Sequence, residues 1–206
     1  MKKVTYLCLA LVVLLVASNK STAQKARGGI KGGLNLSTLY LDDVEDENVR
    51  AGFHAGFYTQ LMLAPSFAIQ PELNFSTKGS SADYNFAGFR GESKFNLSYL
   101  DVPVLATFKL GDDVDIHIGP YVGYLVGVNT SSEGDFGDSR TELDRDDYEK
   151  WDYGISGGMA LNFNPMSIGV RYNYGLNEIA DSDDAARLNK GAKNAVGQVY
   201  VAFDLK

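Results

Sequence analysis

Apolar and polar residues alternate through most of this chain. From Val114 to Val128 the even positions Ile116, Ile118, Pro120, Val122, Tyr124, Val126 and Val128 are apolar. Between them stand Asp115, His117, Gly119, Gly123 and Gly127, all polar or small. Trp151–Phe163 repeats the pattern in opposite parity, with Trp151, Tyr153, Ile155, Met159, Leu161 and Phe163 on one face. A period of two predicts β-strands. Strands of soluble domains average about 5–6 residues, and these run much longer. A tilted strand that crosses a bilayer needs about 9–11 residues, which supplies a reason for the length.

The same alternation predicts strands over Gly28–Thr38, Ala51–Leu63, Phe67–Thr77, Lys94–Leu110, Ser167–Asn177 and Asn194–Leu205. Short turns at Ala64-Pro65-Ser66, Gly111-Asp112-Asp113 and Asn164-Pro165 alternate with long loops at Tyr40–Arg50, Lys78–Ser93, Asn129–Lys150 and Glu178–Lys193. Short turns on one side and long loops on the other mark an even-stranded outer-membrane barrel. The aromatics agree: Phe67, Phe108, Phe163 and Phe203 fall beside the short turns, and Phe53, Phe75, Trp151, Tyr153 and Tyr174 beside the long loops. Two such belts are expected where a barrel meets the two membrane interfaces. The fold expected is all-β: an eight-stranded antiparallel transmembrane β-barrel with long extracellular loops, short periplasmic turns and both chain ends in the periplasm.

The first 23 residues fall outside that pattern. Lys2 and Lys3, the apolar run Val4–Ala17 and Ser21-Thr22-Ala23 read as a signal peptide cut before Gln24, leaving residues 24–206 as the barrel domain. Removing Lys2, Lys3 and Lys20 from 19 basic residues against 26 acidic ones takes the net charge from −7 to −10. Cys8 is lost with the leader, so no disulfide is expected. The acidic balance excludes nucleic acid as a partner, since that affinity rests on Lys and Arg neutralising phosphates.

Several inward positions carry groups capable of chemistry. Glu72, Asp101 and Arg171 point inward at similar heights and are expected to form one ion-pair network, because buried charges must be paired. His54 and His117 also face inward, but about six residues of height separate them, roughly 15–20 Å on tilted strands. Ser156 and Ser167 lie in no nucleophile motif. Asp144, Asp146, Asp147 and Glu149 lack the Gly and bidentate Glu of an EF-hand loop, so a solvated, self-repelling loop is expected. Gly154–Gly158 precedes no helix and is no phosphate cradle. Inward glycines, Gly119, Gly123, Gly154, Gly158 and Gly169 among them, are expected to make room for bulky neighbours such as Tyr121 and Tyr200. No catalytic, metal or cofactor site is expected.

GIKGGLNLS at Gly29–Ser37, PELNFSTKG at Pro71–Gly79, YLDVPVLATFKL at Tyr99–Leu110, IGPYVGYLVG at Ile118–Gly127 and SIGVRYNYGLNEI at Ser167–Ile179 together resemble the PorT-like outer-membrane β-barrel family of Bacteroidetes. The resemblance covers the whole mature chain and implies a small barrel in the outer membrane. The last strand is also similar to the signal read by the barrel assembly machinery, although it ends in Asp204-Leu205-Lys206 and not in an aromatic residue.

The function expected is a non-enzymatic barrel, monomeric in outer-membrane lipid, with a side-chain-filled lumen and a structural or surface-interaction role through its acidic loops. The alternatives are a narrow pore or small-ligand carrier, and a soluble periplasmic ligand-binding barrel. Intact-mass analysis of the membrane-fraction protein is expected to give a chain beginning at Gln24; retention of Met1–Ala23 would overturn the leader assignment.

Overall fold

The computed structural model describes residues 26–40, 49–86, 89–134, 139–179 and 191–205. The leader expected at Met1–Ala23 lies outside them, as does most of the acidic stretch between Tyr40 and Arg50. The strands are β1 (Ala26–Tyr40), β2 (Arg50–Ala64), β3 (Phe67–Phe86), β4 (Phe89–Leu110), β5 (Val114–Gly134), β6 (Ser139–Glu142), β7 (Trp151–Asn162), β8 (Met166–Gly175) and β9 (Lys193–Leu205).

Eight of these form a ring. Each strand from β1 to β5 pairs antiparallel with the next, β5 pairs with β7, β7 with β8, β8 with β9, and β9 closes on β1 from Gly28↔Leu205 to Tyr40↔Lys193. The short strand β6 hangs from the upper part of β5, at Asn129↔Glu142 to Ser132↔Ser139. All eight expected barrel strands are present. The Gly111 turn between β4 and β5 has φ +74°, a conformation that favours glycine.

The alternation resolves as expected into an apolar outside and a polar inside. Leu34, Phe57, Ile118, Ile155, Val170 and Val199 point out from their strands and are exposed. Lys31, His54, Glu72, Asp101, His117, Asp152 and Arg171 point in and are buried. The aromatics pair across strands on the outer face: Phe67 with Phe108 at 5.2 Å near the short turns, Phe53 with Phe75 at 5.9 Å and Tyr124 with Trp151 at 5.1 Å near the long loops.

Two expectations need correction. Lys78–Ser93 is not a loop: β3 and β4 stay paired up to Phe86↔Phe89, and β5 continues beside β4 up to Gly91↔Gly134. Gly79, Ser80, Ser81, Gly88, Gly91 and Ser93 give the segment the composition of a connection, which outweighs the alternation of Ala82, Tyr84 and Phe86. Val128, expected to face lipid, is buried. Ser98 pairs with Gly127 but Tyr99 with Leu125, so Val126 is an extra residue that reverses the parity above it.

A closed ring has no free sheet edge and satisfies its backbone internally. The folded barrel is therefore expected to resist detergent until heated, and unboiled and boiled samples should migrate differently in a denaturing gel. Identical migration, with recovery from the soluble periplasmic fraction, would overturn a membrane barrel.

Candidate functional site

The lumen holds two charged layers. In the lower one, the Glu72 carboxylate on β3 accepts from five donors. Arg171 on β8 grips it with both Nη atoms at 2.7 and 2.9 Å, and Lys31 on β1 reaches it at 3.1 Å. Gln70 and Asn74, its neighbours on the inward side of β3, donate at 2.7 and 3.0 Å. The Tyr200 ring lies 4.0 Å from Lys31 Nζ and 5.4 Å from the Arg171 guanidinium carbon, offering its π face to both cations. Gln60 extends the chain downward, donating to Gln70 at 2.8 Å and to Asp115 at 3.1 Å, and Lys109 binds Asp115 at 2.9 Å.

The upper layer inverts the charge ratio. Lys78 Nζ donates to Asp101 at 2.9 Å and to Asp152 at 2.7 Å, and all three side chains are buried. Tyr99 and Tyr121 place their rings 4.6 and 4.8 Å from the ammonium, and the Tyr121 hydroxyl donates to Asp152 at 3.3 Å. The expected single network of Glu72, Asp101 and Arg171 is thus two. Glu72 and Arg171 do meet, but the register Asn74↔Asp101 lifts Asp101 one inward step above Glu72, where Lys78 takes it. Lys31 and Asp152 had readable inward parity; Lys78 was hidden because its segment read as a loop.

Tyrosines occupy much of the remaining space, and glycines admit them. A Cβ on Gly154 would stand 2.7 Å from Tyr121 Cε1, and one on Gly169 would collide with the Tyr200 ring. At the periplasmic end a cavity of about 30 Å³ remains, lined by Lys31, Gln60, Asp115, His117 and Tyr200 among others, room for little more than one water.

The other candidates find partners elsewhere. His54 Nδ1 lies 2.7 Å from Asn35 Oδ1, and His117 Nε2 lies 3.3 Å from the Tyr200 hydroxyl. Both imidazoles lie against Tyr200, with ring centroids 6.3 and 6.4 Å away, so they are closer together than strand counting indicated. Ser156 donates to Asn173, and Ser167 to Asn162 at 2.7 Å, so no His–Ser pair forms. No group of metal-ligating side chains occurs among the described residues.

The mouth is capped. Leu39, Leu97, Tyr99, Leu125 and Val128 from the strand tops pack with Tyr148, Ile179 and Ala192 from the connections into one buried apolar cluster. Backbone bonds knit it across the ring: Leu125 N donates to Lys150 O at 2.8 Å, Glu149 N to Ile179 O at 3.0 Å and Ile179 N to Ala192 O at 2.9 Å. The self-repelling loop expected here is therefore ordered. Asp144 caps a 3-10 turn over Arg145–Asp147, and Asp146 pairs with Lys150 at 2.7 Å. That ammonium holds the Asp146 carboxyl below its usual range.

Residues 17–181 match the family model described as outer membrane protein beta-barrel domain. The chain belongs to that family. This outer-membrane barrel protein resides in the cell outer membrane, and the soluble periplasmic alternative fails because such a barrel would carry its apolar residues inside. Among solved structures it is similar to Ail, the attachment invasion locus protein of Yersinia pestis, in complex with the heparin analogue sucrose octasulfate. The identity is 12%, coverage is 87% of this chain and 99% of that one, and the TM-score is 0.48. It is also similar to Neisserial surface protein A, at 12% identity, 86% and 96% coverage and a TM-score of 0.47. No curated protein matches it in sequence.

Removing one partner of a buried ion pair costs about 3–5 kcal/mol. Lys78→Met is expected to destabilise the barrel by that order, and adding Asp101→Asn with Asp152→Asn should recover most of the loss. Because the two layers share no partner, the losses from Lys78→Met and Arg171→Leu should add to within about 0.5 kcal/mol. Urea unfolding of protein refolded into lipid measures all of these, and strong non-additivity would restore a single network.

Proposed function

We propose that this outer-membrane barrel is a non-enzymatic protein that conducts no solute and works at the cell surface. Its role is structural or one of surface interaction, exercised through the acidic extracellular rim. It acts as a monomer, inserted by the barrel assembly machinery, and strand motifs such as YLDVPVLATFKL at Tyr99–Leu110 support a likeness to the PorT-like barrels of Bacteroidetes. The observation that carries this reading is the filled lumen: two layers of paired charge below, and an apolar cap above. An eight-stranded ring has an interior just wide enough for its own side chains, and among the described residues a cavity of about 30 Å³ remains at the periplasmic end. The non-enzymatic reading is supported by the inward histidines and serines, each engaged with an amide or a tyrosine.

Purified protein in a planar bilayer is expected to show no stable channel of porin size. Deleting Ser131–Glu142 should leave it silent, because the charged layers lie deeper than that segment. Steady conductance from the unaltered protein would favour the narrow pore, and conductance only after the deletion would make the segment a gate.

A further inference from the structure

One groove lies outside both the lumen and the cap. Above His54↔Ser76, β2 and β3 part: β2 continues beside β1 to Arg50, and β3 continues beside β4. On the outer side of this gap is a groove of about 640 Å³, whose lining includes Arg50, Thr77, Asn96, Asn129, Ser131 and Arg140. At its lower margin stand Phe53 and Phe75, the outward-facing pair at the upper end of the apolar band.

The lower part of the groove matches the headgroup layer. Polar headgroups add about 5–8 Å on each side of the hydrocarbon, or roughly two to three residues of strand. Thr77 stands two residues above Phe75, and Arg50 three residues beyond Phe53 along β2. Immediately above the aromatic belt the outward positions therefore change from rings to hydroxyls and amides, and Arg50, of inward parity on β2, reaches across the gap to join them at Asn96.

The groove is also built in advance. Arg50 donates through Nε to Asn96 Oδ1 and through Nη1 to the Lys78 carbonyl at 3.3 Å. Asn96 is held in turn, donating to Asn129 Oδ1 at 3.0 Å and to Ser131 Oγ at 3.3 Å. Arg140 stands exposed on β6 opposite Ser131. The acid in the lining, Glu133, is bound by Lys94 at 3.1 Å. The groove thus presents two arginines, Arg50 near the aromatic belt and Arg140 about six strand residues above the level of Phe75, offset by one already paired carboxylate.

We infer that this groove binds the phosphorylated sugar headgroup of an outer-leaflet glycolipid. Guanidinium is suited to phosphate because its planar fork matches the oxyanion and is weakly hydrated. Asn96, Asn129, Ser131 and Thr77 offer amide and hydroxyl partners to sugar hydroxyls. Phe53 and Phe75 meet the upper acyl chains.

The test uses the full purified chain, stripped of lipid in mild detergent and titrated by native mass spectrometry. The probes are diphosphoryl lipid A, monophosphoryl lipid A and phosphatidylglycerol. Diphosphoryl lipid A is expected to bind about tenfold more tightly than either of the others, and Arg50→Gln with Arg140→Gln should lose about tenfold, the scale of one or two charge-assisted bonds. Arg50 also braces β2 against β3, so Arg140→Gln alone, with heat-dependent gel mobility intact, must weaken binding too. Equal affinity for phosphatidylglycerol, displacement by millimolar inorganic phosphate, or unchanged binding by the Arg140 variant overturns the inference.

Discussion

In hydrocarbon a backbone N–H or C=O has no water to turn to, and each unpaired group costs several kcal/mol. Closing β9 onto β1 is therefore the step on which everything else depends, because it removes the last free edge. Once the ring is closed, parity is no longer a preference. Every strand must send alternate side chains to lipid and the others inward, and the inward set may be polar because lipid already receives the apolar set. With eight strands the inside is too narrow for a water column, so the polar groups must satisfy one another.

Charge matching in the lumen follows from that confinement. Lys31, Lys78, Lys109 and Arg171 face Glu72, Asp101, Asp115 and Asp152, four cations against four carboxylates. The balance is not layer by layer: two cations share Glu72 below, and two carboxylates share Lys78 above. Tyrosine π faces beside the cations and amides around Glu72 offset the local surplus. Buried ion pairs are weak evidence for net stability, but here they hold the register. A slip of one residue would send Glu72 or Arg171 into lipid, so these pairs penalise every misregistered ring much more than they favour the correct one.

How much was legible follows from what each face meets. Wherever one face meets lipid, period-two alternation revealed the strand, and all eight spans and both aromatic belts were readable. Along Ser80–Phe86 and its partner in β4, glycines and serines obscured the alternation of Ala82, Tyr84 and Phe86, and a hairpin looked like a loop. That misreading hid Lys78 and left Asp101 assigned to Arg171. The bulge at Val126 was unreadable for another reason: Gly127 and Val128 suit either face, so nothing in their chemistry marks the change of parity. Cross-lumen contacts such as those of His54 and His117 with Tyr200 depend on ring curvature, which strand counting ignores.

The cap bears on how an acidic surface can act. Free loops carrying this many carboxylates would repel one another and would lose conformational freedom on meeting a partner. Tyr148, Ile179 and Ala192 instead tie the connections to Leu97 and Leu125, and backbone bonds bridge the segments around Lys150, Ile179 and Ala192. This apolar cluster sits where the polar lumen ends, so the mouth gains a small core of its own, apart from the Tyr58, Ala160, Tyr200 and Ala202 cluster lower in the barrel. The acidic groups beside it are then carried on a fixed base: Asp146 pairs with Lys150 and Asp144 caps its turn. Among the described residues these carboxylates therefore keep a fixed spacing, because the core that carries them forms when the barrel folds.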